Sequence, residues 1–127
     1  MLAGVCFGTN DLAAAGQFYD QVLATIGWSR QMQNDVEIGY SRESTPAEFW
    51  VLTPFDQRSA TRGNGTQVMF MADNISQVDA FHAAVIRLGG ADEGKPGPRD
   101  YRAGYYGAYC RDLDGNKLHV FTIQEES

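Results

Sequence analysis

The sequence predicts an α+β fold built from two βαβββ modules, and three observations carry that prediction. Two amphipathic helical stripes each follow a short apolar strand and precede β-rich runs. Shifting the chain by 63 residues sets Asp11-Leu12 on Asn74-Ile75, Phe18 on Phe81, Val22 on Val85 and Gly27 on Gly90. The stretch Arg111–Ile123, RDLDGNKLHVFTI, reads as a turn and the last strand of a β-hairpin. With 127 residues and 43% hydrophobic content, the chain is long and apolar enough to bury one core without staples. The expected organisation is one domain, 1–127, made of modules 1–57 and 64–124.

Leu2–Gly8 is the first predicted strand. Thr9-Asn10-Asp11 then offers capping side chains, and Leu12, Ala15, Phe18, Tyr19, Val22, Leu23 and Ile26 recur at helical spacing. Gly27 stands where a left-handed C-terminal residue is expected. Strands are expected at Trp28–Met32, at Asn34–Tyr40 with Val36, Ile38 and Tyr40 on one face, and at Ala47–Thr53. Pro54–Gly65 is polar and turn-rich, a linker between halves. In the second half, Thr66–Ala72 reads as a strand, and Ser76 with Asp79 as an approximate capping box. Ile75, Val78, Phe81, Val85 and Leu88 form a helical stripe closed by Gly89-Gly90. Ala91–Arg99 reads as a Gly/Pro loop, Tyr105–Cys110 and Lys117–Ile123 as the final hairpin, and Gln124–Ser127 as a frayed, acidic tail.

Period-two alternation assigns faces to the strands. Val5, Phe7, Phe49, Val51, Val68, Phe70, Leu118 and Val120 are expected against the helices. Gly4, Cys6, Gly8, Glu48, Trp50, Leu52, Gln67, Met69, Met71, Lys117, His119 and Phe121 then face a shared concavity. His119 is the only histidine on a predicted strand; its residue type allows a metal ligand, an acid/base group or a packed core residue. Tyr40, Tyr105 and Tyr106 are candidates for the rim. Arg42, Arg99 and Arg102 sit in or beside loops, as solvated charges or as partners of an anionic ligand.

A net charge of −6 and scattered basic residues argue against nucleic acid. No apolar run approaches a membrane span, and the N-terminus lacks the features of a signal peptide, so a cytoplasmic location is expected. Cys6 and Cys110 are expected as two reduced thiols, buried in strands.

Asn10-Asp11-Leu12 followed by Phe18-Tyr19, Val22-Leu23 before Gly27, and Arg111-Asp112-Leu113-Asp114-Gly115-Asn116 before a strand together resemble the vicinal oxygen chelate superfamily. That family includes glyoxalase, bleomycin-resistance proteins and extradiol dioxygenases; its usual Asp-Pro-Asp-Gly-Asn appears here with Leu113 for proline. The resemblance implies paired modules in a cupped mixed sheet, usually in a homodimer. It also implies metal ligands, in metal-dependent members, at the positions of Gly4, Trp50, Gln67 and His119. Gly4 and Trp50 offer no donor, and Glu48 stands on the face of Trp50 but roughly 6.5–7 Å along the strand. The expectation is therefore no cofactor, with a divalent metal (Zn, Ni, Mn or Fe) on Gln67, His119 and Glu48 as the alternative.

Three functions remain open on these residues. One is a metal-free, glyoxalase-like protein that binds a small, partly apolar molecule through Gln67, His119, Trp50, Met69, Phe121 and Cys6, with His119 available for proton transfer. The second is a metal-dependent lyase, isomerase or dioxygenase. The third is an interaction protein with a vestigial cavity.

Overall fold

The computed structural model describes residues 1–125; the end of the acidic tail, Glu126 and Ser127, lies outside the described residues. Asp11 caps the first helix, α1 (Leu12–Ala24), by accepting from the Ala14 amide at 3.0 Å. Asn74 caps the second, α2 (Ile75–Arg87), by accepting from the Gln77 amide at 2.9 Å. The expected Ser76–Asp79 box does not form. Asn74 already satisfies the orphan amide, Ser76 donates to Asn74, and Asp79 accepts from the Tyr106 hydroxyl instead.

Module 1 holds β1 (Val5–Gly8), β2 (Trp28–Gln33), β3 (Glu37–Arg42) and β4 (Phe49–Leu52) in the sheet order β1-β4-β3-β2. Module 2 holds β5 (Gln67–Met71), β6 (Ala91–Pro98), β7 (Tyr105–Arg111) and β8 (Lys117–Ile123) in the order β5-β8-β7-β6. In each, the first strand pairs parallel with the last and the remaining pairings are antiparallel. These are the two predicted βαβββ modules.

Two stretches differ from expectation. Ala91–Pro98 is a strand, not a loop. As an edge strand pairing only with β7, it accommodates Pro96, Pro98 and two register shifts. The strand predicted from Asn34 begins only at Glu37, because the Asn34 side chain accepts from the Val36 and Glu37 amides and closes a turn. Val36 is consequently exposed, while Ile38 and Tyr40 are buried.

Both helix stripes feed one hydrophobic cluster that includes Phe18, Val22, Phe49, Phe70, Phe81 and Val120. Phe49 and Phe70 meet edge to face across the modules at 5.3 Å. The β7–β8 turn, Asp112–Asn116, locks the modules together. The buried Asp112 carboxylate accepts from the Tyr19 hydroxyl on α1 at 2.5 Å, from the amides of Asp114 and Asn116, and from the Asn116 side chain. Asn116 also donates to the Gly8 carbonyl, and Asp114 accepts from the Asn10 amide. Burial raises the Asp112 carboxyl above the ordinary range, opposed by these bonds. Among the described residues, no helix is long and apolar enough to cross a membrane.

Candidate functional site

The register of β5, β8 and β7 arranges the face turned away from α2 in rows. Gln67, Lys117 and Arg111 form the first row, Met69, His119 and Tyr109 the second, and Met71, Phe121 and Gly107 the third. Neighbours in a row are set by the ~4.8 Å strand spacing, and successive rows lie roughly 6.5–7 Å apart.

His119 is the centre of this face. Its ring stacks on Tyr109, with centroids 4.3 Å apart and planes at 13°, and on Phe121 at 5.1 Å. Its Nε2 lies 2.5 Å from the Tyr105 hydroxyl, while its Nδ1 is buried without a hydrogen-bond partner among the described residues. Tyr105 reaches His119 because Gly107 lies beneath it. A Cβ at position 107 would collide with the Tyr105 hydroxyl and with Cβ of Phe121.

Burial pushes the His119 imidazole down to about 4, and the charges of Arg99 and Lys117 add to the effect. The ring is therefore neutral at pH 7, one nitrogen a donor and the other an acceptor. Arg99 is held by the carbonyls of Lys95, Gly97 and Gly107, and its guanidinium lies 5.4 Å from the Tyr109 centroid. It acts here as a fixed positive charge under the aromatic stack.

Module 1 presents a different face. Its central row is Cys6, Trp50 and Gly39. The Trp50 indole lies so close over Gly39 that a Cβ there would sit 2.8 Å from the ring. Cys6 is exposed on its edge strand, against the expectation of burial; Cys110 is buried and its thiol is pushed up to about 12 by desolvation.

The edge strands β1 and β5 face each other across a cavity of about 390 Å³ lined by Gly4, Trp28, Glu48, Gln67 and Met69 among others. The structure thus divides the predicted set. Gln67, Met69 and Glu48 meet at the seam, His119 and Phe121 belong to the stack on module 2, and Trp50 and Cys6 share a row on module 1.

Tyr109 and the bond from Tyr105 to His119 were outside the sequence reading. The alternation Tyr105, Gly107, Tyr109 carries the signal, because it places both phenols on the face of His119 with a gap between them. Tyr40, a rim candidate, is instead in the core, bonded to Asp20 and the Gly16 carbonyl.

Of the four positions that the resemblance assigns to metal ligands, two carry a donor side chain, Gln67 and His119. A side chain at Gly4 would meet the Glu48 carbonyl at 2.8 Å, and the Trp50 ring lies over Gly39. Gln67 stands opposite the Lys117 cation, and Nε2 of His119 is engaged by Tyr105. Among the described residues, no three His, Cys, Asp or Glu side chains gather as a ligand set.

The model of the glyoxalase/bleomycin resistance protein/dioxygenase superfamily matches residues 2–120. A glyoxalase/bleomycin resistance protein from Albidiferax ferrireducens is 40% identical, with 94% of this chain and 96% of that chain covered and a TM-score of 0.84. A glyoxalase/bleomycin resistance protein/dioxygenase family enzyme from Burkholderia phytofirmans shares the fold at 21% identity, 97% and 98% coverage and TM-score 0.74. So does a lactoylglutathione lyase from Agrobacterium tumefaciens, at 18%, 96% and 92%, and 0.65. A search of curated proteins returns no match.

Proposed function

The chain belongs to the glyoxalase/bleomycin resistance protein/dioxygenase superfamily, and from that premise we propose that it binds a small, partly apolar molecule on the concave face of module 2, without metal. The observation that carries the reading is His119, a neutral, buried imidazole among Tyr105, Tyr109 and Phe121 whose Nδ1 has no partner among the described residues. A flat or apolar ligand lies against Met69, Phe121 and the stack, and a polar group on it satisfies the imidazole. Held near 4, the imidazole is a weak base at neutral pH, so its role is to fix orientation by hydrogen bonding rather than to abstract protons.

Met69 and Met71 are 61% and 55% exposed on this face, a surface that a ligand or a second copy of the chain would cover. The reading therefore includes a homodimer, with each open face closed by the partner.

Labelling the methionine methyl groups and the imidazole nitrogens for NMR tests it with benzyl alcohol and catechol as probes. The expected outcome is saturable shifts at Met69, Met71 and His119, abolished in H119A, in a protein that sediments as a dimer. Shifts confined to the seam, or none at any site, would overturn the placement, and sedimentation as a monomer would remove the dimer.

A further inference from the structure

The first row of the concave face, Gln67, Lys117 and Arg111, is polar and cationic, and it opens into a second cavity of about 430 Å³. The loop before β5 closes that cavity and brings a third cation, Arg62, beside Gly63 and Gly65. Among the described residues, three positive side chains and no carboxylate line it, in a chain of net charge −6.

One nearby carboxylate offsets part of this charge. Glu93 pairs with Arg111 at 2.8 Å, and its carboxyl is held below the usual range first by Arg111 and also by Lys117 and Arg62, so all three cations act on this one carboxylate. Among the described residues, neither Arg62 nor Lys117 has a carboxylate at ion-pair distance. Arg62 packs its stem against Gly115 of the β7–β8 turn, where a Cβ would lie 3.2 Å from its Cδ. Lys117 holds its ammonium 5.0 Å from the Tyr109 centroid, between the cavity and the His119 stack. Gln67 lines this cavity and the apolar one at the seam.

We propose that this cavity is an oxyanion subsite: Arg62, Lys117 and Arg111 hold the phosphate, phosphonate or carboxylate head of an organic anion whose apolar body lies along Met69, His119 and Tyr109. The inference rests on the ligand-binding reading above and narrows it to a class, an anionic molecule with a flat or apolar body. The geometry supports it in two ways. The cationic row is directly adjacent to the aromatic row, so head and body of one small molecule reach both. Arg62 and Lys117, without a carboxylate at ion-pair distance among the described residues, are free to bind an oxyanion by charge-assisted hydrogen bonds, stronger than neutral ones, with Arg111 beside them paired to Glu93.

The test is calorimetric titration of wild type and the R62Q/K117Q double variant with phenylphosphonate, benzoate, inorganic phosphate and benzyl alcohol. Phenylphosphonate should bind wild type at least ~10-fold tighter than benzyl alcohol, and the double variant should lose that advantage, as expected for removal of charge-assisted contacts. Benzyl alcohol should bind both proteins alike. Benzoate in place of phenylphosphonate as the tighter ligand assigns a carboxylate head to the same subsite. Equal phenylphosphonate affinity in wild type and double variant, or no gain over benzyl alcohol, would overturn the subsite while leaving the aromatic face intact. Inorganic phosphate binding as tightly as phenylphosphonate, and lost in the double variant, supports the subsite and sinks the aromatic-face reading. The single variant R62Q, on an exposed side chain, gives the same comparison should the double variant fail to fold.

Discussion

In module 1 the central row of the concave face is Cys6, Trp50 and Gly39; in module 2 the matching strands carry Met69, His119 and Tyr109. The backbones follow the same plan, so the difference lies in which side chain stands beside the residue on the last strand. Glycine at 39 lets the Trp50 ring fall across β3. Tyrosine at 109 gives His119 a stacking partner, Tyr105 supplies a hydroxyl, and Gly107 leaves room for that hydroxyl. A duplicated scaffold has thus concentrated polar chemistry on one module and left the other as a wall.

The turns that join the last two strands of each module diverge in the same way. The β7–β8 turn of module 2 sends a buried carboxylate, Asp112, to Tyr19 on the opposite helix. At the corresponding end of β3 in module 1, Arg42 makes an exposed pair with Asp73 at 3.5 Å. Substituting Asp112 by alanine leaves the Tyr19 hydroxyl, two amides and the Asn116 side chain without their acceptor. The expected loss is on the order of 3–4 kcal/mol, whereas R42A should change stability by less than about 0.5 kcal/mol. Urea unfolding of the two variants measures both. Comparable losses would mean that the modules are clamped symmetrically and would erase the contrast.

The shared plan of the two modules was visible in the sequence, while the contrast between them was not. The Asp-Leu-Asp-Gly-Asn turn, the alternation on β5 and β8, and the paired helix stripes identify the fold and point His119 to the concave face. The cross-strand partners were not legible, because a one-residue change of register moves a whole set of side chains to the other face. Tyr109 becomes a neighbour of His119 only once β7 is paired to β8, and Arg62 joins Lys117 around one cavity only once the loop folds beside the first row. Edge strand β6 escaped detection for a related reason: its Gly and Pro residues satisfy the rules for a loop until the bulges are seen.

The acid response should also separate the modules. His119 in the folded chain sits at about 4, while the unfolded chain presents an ordinary imidazole near 6.5. Between those values the unfolded state binds more protons than the folded one. Stability from this residue is therefore complete above pH 6.5 and is lost as pH falls toward 4. Between pH 7.5 and pH 5 the loss should be about 2 kcal/mol in wild type. The H119Q variant should lose less by that amount, since glutamine does not titrate. W50F, in the matching position of module 1, should leave the pH slope of wild type unchanged. Parallel denaturation curves for wild type and H119Q across this range would show that the imidazole is solvated, and the aromatic stack would lose its claim to bury it.

The smallest expected contrast concerns the helix caps, where the 63-residue repeat places Asp11 and Asn74 in the same role. Each accepts from the amide three residues on, so D11A and N74A should each cost about 1 kcal/mol. The amides just ahead of the helices are held differently, at the cap itself in module 1 and one residue before the cap in module 2. In module 1 the Thr9 hydroxyl, from before the cap, accepts from the Asp11 amide at 3.1 Å; in module 2 the Gln77 side chain, from inside the helix, accepts from the Asp73 amide at 2.8 Å. T9V and Q77A remove these bonds and should each cost roughly 0.5–1 kcal/mol, read from thermal melts against wild type. Ala14 occupies the place of Gln77 in module 1, so D11A leaves no side chain to compensate, whereas Gln77 remains in N74A. A near-zero loss in N74A that reappears in N74A/Q77A would show that the Gln77 bond to the Asp73 amide holds the start of α2 without the Asn74 cap. Duplication would then have preserved the position of the helix start while exchanging the group that holds it.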